Sequence, residues 1–184
     1  MDRELVTQAR DGDHDAFARL AAGSIGRLNA IARLILNDHA RAEDAVQDAL
    51  VDAWRNLRGL RDPDRFDAWL TRILVRSCQD MRRLDRRRRL VEVPLVDIGP
   101  GIGDLQTSVA DADQLERGLR RLTIDQRTVL VLSYYLDLTL ADAAATLGIP
   151  LGTMKSRLSR ATDALRASVD ATERLSAYPA ERLA

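Results

Sequence analysis

The sequence predicts an all-α protein: two small helical domains joined by a flexible linker, the C-terminal one a helix-turn-helix. Three observations carry this. Apolar residues recur at helical spacing over most of the chain, and no stretch of weight alternates as a strand would. The periodicity stops between about Leu90 and Asp111, where VEVPLVDIGPGIGDLQTSVAD holds two prolines and three glycines. The stretch TLADAAATLGIPLGTMKSRLSRATDALR, Thr139 to Arg166, reads as helix, glycine turn, helix. The expected division is a first domain at 1–89, a linker at 90–111, a second domain at 112–170 and a tail at 171–184.

In the first domain, Asp11 or Asp13 can cap a helix bearing Phe17, Leu20 and Ala21. A second helix carries Ile25, Leu28, Ile31, Ala32 and Ile35. The third has the cleanest period: Ala42, Ala45, Val46, Ala49, Leu50, Ala53, Trp54 and Leu57 face one way. Glu43, Asp44, Gln47, Asp48 and Asp52 face the other. Arg58 to Asp64, RGLRDPD, is a loop by its glycine and proline. A long helix follows from about Arg65 to Arg88, with Phe66, Trp69, Leu70, Ile73, Leu74, Cys78 and Met81 inward. Arg72, Arg76, Gln79, Arg83 and Arg86 fall at successive helical steps on another face, a basic stripe suited to a phosphate backbone.

In the second domain, helices resume near Ala112 with Leu115, Leu119 and Leu122. Thr123 and Gln126 form a capping box for a helix holding Val129, Leu130 and Tyr134. Thr139 can cap the next helix, whose inner stripe is Leu140, Ala143, Ala144 and Leu147. Gly148 ends that helix, and Pro150 fits the start of another. There Leu151, Met154, Leu158, Ala161 and Leu165 point inward, leaving Thr153, Lys155, Ser156, Arg157 and Arg160 outside. A solvated helical hairpin normally mixes both signs of charge, yet this face has no acid until Asp163. After Arg166 the pattern fades, and Pro179 argues for a loose end.

Lys and Arg together number 28, as do Asp and Glu, so formal net charge is zero. The charge is nonetheless segregated, with RRLDRRRR at 82–89 and acids clustered on the third helix. That suits one nucleic-acid surface and one protein surface. The single cysteine, Cys78, excludes an intramolecular disulfide and sits on an apolar face. His14 and His39 lack neighbours at metal-ligand spacing, so no metal or other cofactor is expected. Nothing resembles a catalytic constellation or a phosphate-cradling loop after a strand. No apolar run approaches membrane-spanning length and MDRELVTQAR is no signal peptide, so the expected location is the cytoplasm.

Together these segments resemble an extracytoplasmic-function sigma factor, the smallest class of bacterial RNA polymerase specificity subunit. The matching strings are RDGDHDAFARL at Arg10–Leu20, AEDAVQDALVDAWRNL at Ala42–Leu57 and RFDAWLTRILVRSCQDMRR at Arg65–Arg83. DQRTVLVLSYY at Asp125–Tyr135 and the helix-turn-helix follow in family order. The resemblance implies that the first domain corresponds to sigma region two and the second to region four. It implies that Glu43, Asp44, Gln47 and Asp48 dock on the core RNA polymerase. The loop, with Arg61 and Asp64, would capture an extruded minus-ten base. Arg72, Arg76, Gln79 and Arg83 would hold upstream duplex and melted strand. Thr153, Lys155, Ser156, Arg157 and Arg160 would enter the major groove of the minus-thirty-five element. An anti-sigma factor is the further partner implied. Two positions depart from the family's pattern: Arg76 stands where asparagine is common, and Ala143 where isoleucine is usual.

The rival reading is a stand-alone helix-turn-helix transcriptional regulator, such as a response regulator output domain. A receiver domain would need alternating strands and an acidic pocket, and the N-terminal half shows only helices. A helical adaptor or anti-sigma protein that binds protein alone would not need the arginine stripe.

Overall fold

The computed structural model describes the backbone of residues 3–89 and 117–176, and the side chains of residues 3–81 and 117–170. Among these residues there is no strand. The expected linker at 90–111, and the end of the tail at 177–184, lie outside the described residues. The chain divides into two compact units, 1–101 and 102–184.

Among the described residues the first unit holds four α-helices: α1 (Arg3–Arg10), α2 (His14–Leu36), α3 (His39–Asn56) and α4 (Phe66–Arg89). The sequence pattern did not mark α1, which buries only Val6 and Ala9. Asp13 caps α2, its carboxylate accepting from the Asp15 and Ala16 amides. One 23-residue helix replaces the two expected here. Gly23 and Gly26 suggest a break between Ala21 and Ile25, but a Cβ on either glycine would meet nothing. Each glycine costs the helix about 1 kcal/mol. Leu20, Leu28, Ile31 and Ile35, all buried on one stripe, each contribute about 1.5–3 kcal/mol and outweigh that. Ile25 falls off the stripe and is 45% exposed.

Helix α3 turns alanine inward: Ala42, Ala45, Ala49 and Ala53, with Val46. These small side chains let α2 and α4 pack closely on it. The bulk of the core comes from α2 and from Phe66, Leu70, Leu74, Val75 and Cys78 of α4. Trp54 stacks near the start of α2, 4.4 Å from the His14 ring and 5.1 Å from Phe17. Arg27 fastens α2 to α4, donating to Asp67 at 2.6 Å and to Thr71 at 2.9 Å.

In the second unit, 117–120 is helical and is followed by α5 (Ile124–Leu130). The Thr123–Gln126 capping box forms as expected, in both directions. A π-helical turn, Val131–Tyr135, continues α5. It carries Tyr134, which is 66% exposed, whereas Val129 and Leu130 of the same run are buried. Helices α6 (Leu140–Leu147) and α7 (Leu151–Ser176) complete the unit. Thr139 caps α6, accepting from the Asp142 amide. Gly148 closes it in the left-handed conformation at φ 64°, where a side chain would be strained.

Helix α7 runs ten residues past Arg166 and six past the expected edge at 170. A tertiary contact explains it. Ser168 is buried and its hydroxyl donates to the Gly118 carbonyl at 3.0 Å. A Cβ at Gly118 would lie 2.9 Å from Val169 Cγ2, so α7 packs there because Gly118 has no side chain. Arg127 is a second feature that periodicity does not show. It is 6% exposed, and its Nη1 donates to the Leu119 and Leu122 carbonyls at 3.2 and 2.6 Å. Burial pulls its guanidinium down to about 10.

Candidate nucleic-acid and protein interfaces

On α3, Glu43, Asp44, Gln47 and Asp48 are all exposed, with Asp52, opposite the buried alanine stripe. None is needed for packing. Glu43 lies 3.3 Å from His39 Nδ1, and Arg33 approaches His39 Nε2 at 2.9 Å. Asp44 and Asp48 have no salt-bridge partner among the described residues. Val51, one turn beyond Gln47, is 47% exposed on the same face. The arrangement is an acidic ridge with an apolar point, fit for a basic protein surface.

The loop after α3 is more structured than its composition suggests. Two 3₁₀ turns, Leu57–Gly59 and Pro63–Arg65, bracket it. Leu57, Leu60 and Pro63 are buried, while Arg58, Arg61, Asp62, Asp64 and Arg65 stay exposed. The Asp62 carboxylate accepts from the Asp64 amide at 3.1 Å. Asp64 in turn pairs with Arg3 of α1 at 2.9 Å. The polar rim thus stands on apolar anchors.

Along α4, Arg72 and Arg76 are exposed and Gln79 is half-buried. Arg83 and Arg86 continue on the same helix, but their side chains lie outside the described residues. Cys78 is fully buried, and burial pushes its thiol up to about 12, so it stays protonated.

On α7, Lys155, Ser156 and Arg160 are exposed, whereas Thr153 and Arg157 are half-buried. Ser156 Oγ donates to the Thr153 carbonyl at 3.0 Å, and Arg160 Nε to the Ser156 carbonyl at 3.1 Å. Arg160 therefore projects from a fixed base. Leu151, expected inside, is 44% exposed: it is the first residue of the helix, and burial begins one turn on, at Met154. Leu140 and Leu158 are half-buried because both line an open groove with Tyr134, Lys155 and Arg166.

Comparison with known proteins agrees in both halves. Residues 24–89 match the family Sigma-70 region 2, and residues 112–165 match Sigma-70, region 4. The ECF RNA polymerase sigma factor SigM of Mycobacterium tuberculosis is 36% identical over 160 residues, covering 87% of this chain and 80% of SigM. The RNA polymerase sigma factor CnrH of Cupriavidus metallidurans is 32% identical over 182 residues, covering 92% and 95%. The solved structure of CnrH with the cytosolic domain of CnrY aligns at a TM-score of 0.61, covering 92% of this chain and 97% of CnrH. The sigma factor RpoE from Bartonella quintana, solved with the anti-sigma factor NepR, aligns at 0.71 with 28% identity over 84% and 96%. With both sigma regions in order and relatives of this identity along nearly its whole length, the chain belongs to the extracytoplasmic-function sigma factors of RNA polymerase.

Proposed function

We propose that the two units divide promoter recognition between them, with 1–89 serving core polymerase and the minus-ten element and 112–170 serving the minus-thirty-five element. As a sigma factor the protein is a transcription initiation factor, not an enzyme, and directs RNA polymerase to promoters. The observation that carries the division of labour is the exposure of two chemically opposite faces. The α3 face is acidic and unneeded for packing; the α7 face is hydroxylic and basic. In this reading Glu43, Asp44, Gln47 and Asp48 bind core polymerase. Arg61 and Asp64 rim the pocket for an extruded minus-ten base, and Arg72, Arg76, Gln79 and Arg83 follow the phosphates. Arginine on phosphate supplies affinity and position, not sequence. Thr153, Lys155, Ser156, Arg157 and Arg160 face the bases of the upstream element. Residues 90–111 connect the two readers.

No helix among the described residues is long and apolar enough to cross a membrane. The setting proposed is the cytoplasm, where polymerase and promoter DNA are. Of the solved relatives named above, RpoE is in complex with the anti-sigma factor NepR, and CnrH with the cytosolic domain of CnrY. An anti-sigma factor is accordingly proposed for this chain. The testing experiment is promoter binding with and without core polymerase. Selective binding is expected only with core; tight operator binding by the free chain would instead favour a stand-alone helix-turn-helix regulator.

A further inference from the structure

Helix α1 lies ahead of the region matched to Sigma-70 region 2, which begins at residue 24. It is not a loose arm. Val6 is fully buried and Ala9 nearly so, and α1 packs on α2 and on both 3₁₀ turns of the loop that follows α3. At its start, Arg3 Nη1 donates to Asp64 Oδ2 at 2.9 Å, joining residues 61 positions apart. At its end, the turn at Gly12 lies against Arg58: a Cβ there would be 3.9 Å from the Arg58 guanidinium. The helix and the turn that ends it thus span the loop, with Gly12 beside Arg58 at one side and Arg3 paired with Asp64 at the other. The loop's own anchors, Leu57, Leu60 and Pro63, hold its inner side only.

We propose that α1 is a brace for the minus-ten loop and that Arg3 is a positioning residue for base capture. The proposal rests on the reading that the loop at 58–64 receives the extruded base. The ion pair fixes the orientation of the Asp64 carboxylate at the rim, where it would meet the captured base. Arg3 and Asp64 are both well exposed, at 69% and 59%. An exposed pair of this kind supports an effect of up to about fivefold, not more.

The test uses the full chain assembled with core polymerase. The probes are a fluorescent single strand carrying the minus-ten element of a mapped promoter and the same strand abasic at the captured base. Arg3→Ala should weaken binding of the intact strand by about two- to fivefold. Arg3→Glu should weaken it further, and Arg3→Lys should restore it. The abasic strand should bind all variants alike, because the lost contact is to the base. Core affinity and the thermal midpoint should stay at parental values. Arg61→Ala reports on the loop itself. If Arg61→Ala weakens the intact strand while the Arg3 variants behave as the parent, the brace is refuted and the loop reading survives. If Arg61→Ala changes nothing, the loop reading fails and takes the brace with it. Equal weakening of intact and abasic strands by Arg3→Ala also overturns the proposal, since that outcome is general charge attraction or general destabilisation.

Discussion

Arg160→Ala isolates the reading of the upstream element. The side chain is exposed, and its one internal bond, Nε to the Ser156 carbonyl at 3.1 Å, engages a single nitrogen. Loss of such a surface contact changes stability by no more than about 0.5 kcal/mol. The contact proposed to DNA is worth much more. An arginine on a base edge carries about 1–3 kcal/mol of discrimination, or about five- to 150-fold in binding. Arg157 differs, because it is half-buried and its stem packs within the unit. Arg157→Ala should therefore lower both recognition and the melting midpoint, while Arg160→Ala should lower recognition alone. The assay is run-off transcription from paired promoters, each mutated in one element, read as a double-mutant cycle. On a promoter already mutated at the contacted upstream base pair, Arg160→Ala should cost little more. On one mutated in the minus-ten element, its full penalty should persist. Equal loss on every promoter would refute the assignment of α7 to the bases.

Three further outcomes follow from the geometry. Asp44→Arg with Asp48→Arg should cut core binding at least tenfold in a competition assay while the helical circular dichroism and melting midpoint hold, since both carboxylates are exposed and unneeded for packing. Arg76→Ala should slow open-complex formation across promoters and reduce the salt slope by about one, the signature of one lost phosphate contact, whereas Arg76→Asn should keep activity; both are read by filter binding over a salt series. Gly118→Ala should destabilise the second unit by about 1–3 kcal/mol, because the new methyl would sit 2.9 Å from Val169 and 3.3 Å from Leu165, and thermal denaturation of that variant measures it.

Much of this molecule is legible in the sequence because its signals are local. The capping box at Thr123–Gln126, the Thr139 cap, the Gly148 turn and the α3 period each depend on residues within a turn or two of one another. The acidic face of α3 follows from the same arithmetic: a strict apolar stripe fixes what lies opposite. The exposed faces of α3 and α7 were readable for that reason, and both lie within the segments that match the two sigma regions.

The misses have a common cause. Ala21 to Ile25 looks like a break because two glycines are locally unfavourable, but the buried stripe on either side carries α2 through. Local periodicity cannot see that Ser168 finds a carbonyl 50 residues away, so α7 appeared to end near Arg166. Leu151 is apolar at suitable spacing, yet no element among the described residues covers it and it stays exposed. Arg127 reads as a surface cation and is instead buried on two carbonyls.

By itself the sequence determined the helical class, the caps, the segregation of charge and the exposed acidic and basic faces of α3 and α7, because each is set by spacing along one helix. Only the tertiary structure decided where helices continue, which apolar residues are covered, and that α1 closes against the loop at 58–64 through Arg3 and Asp64. Those depend on contacts between distant segments, whose free energy no single helix contains.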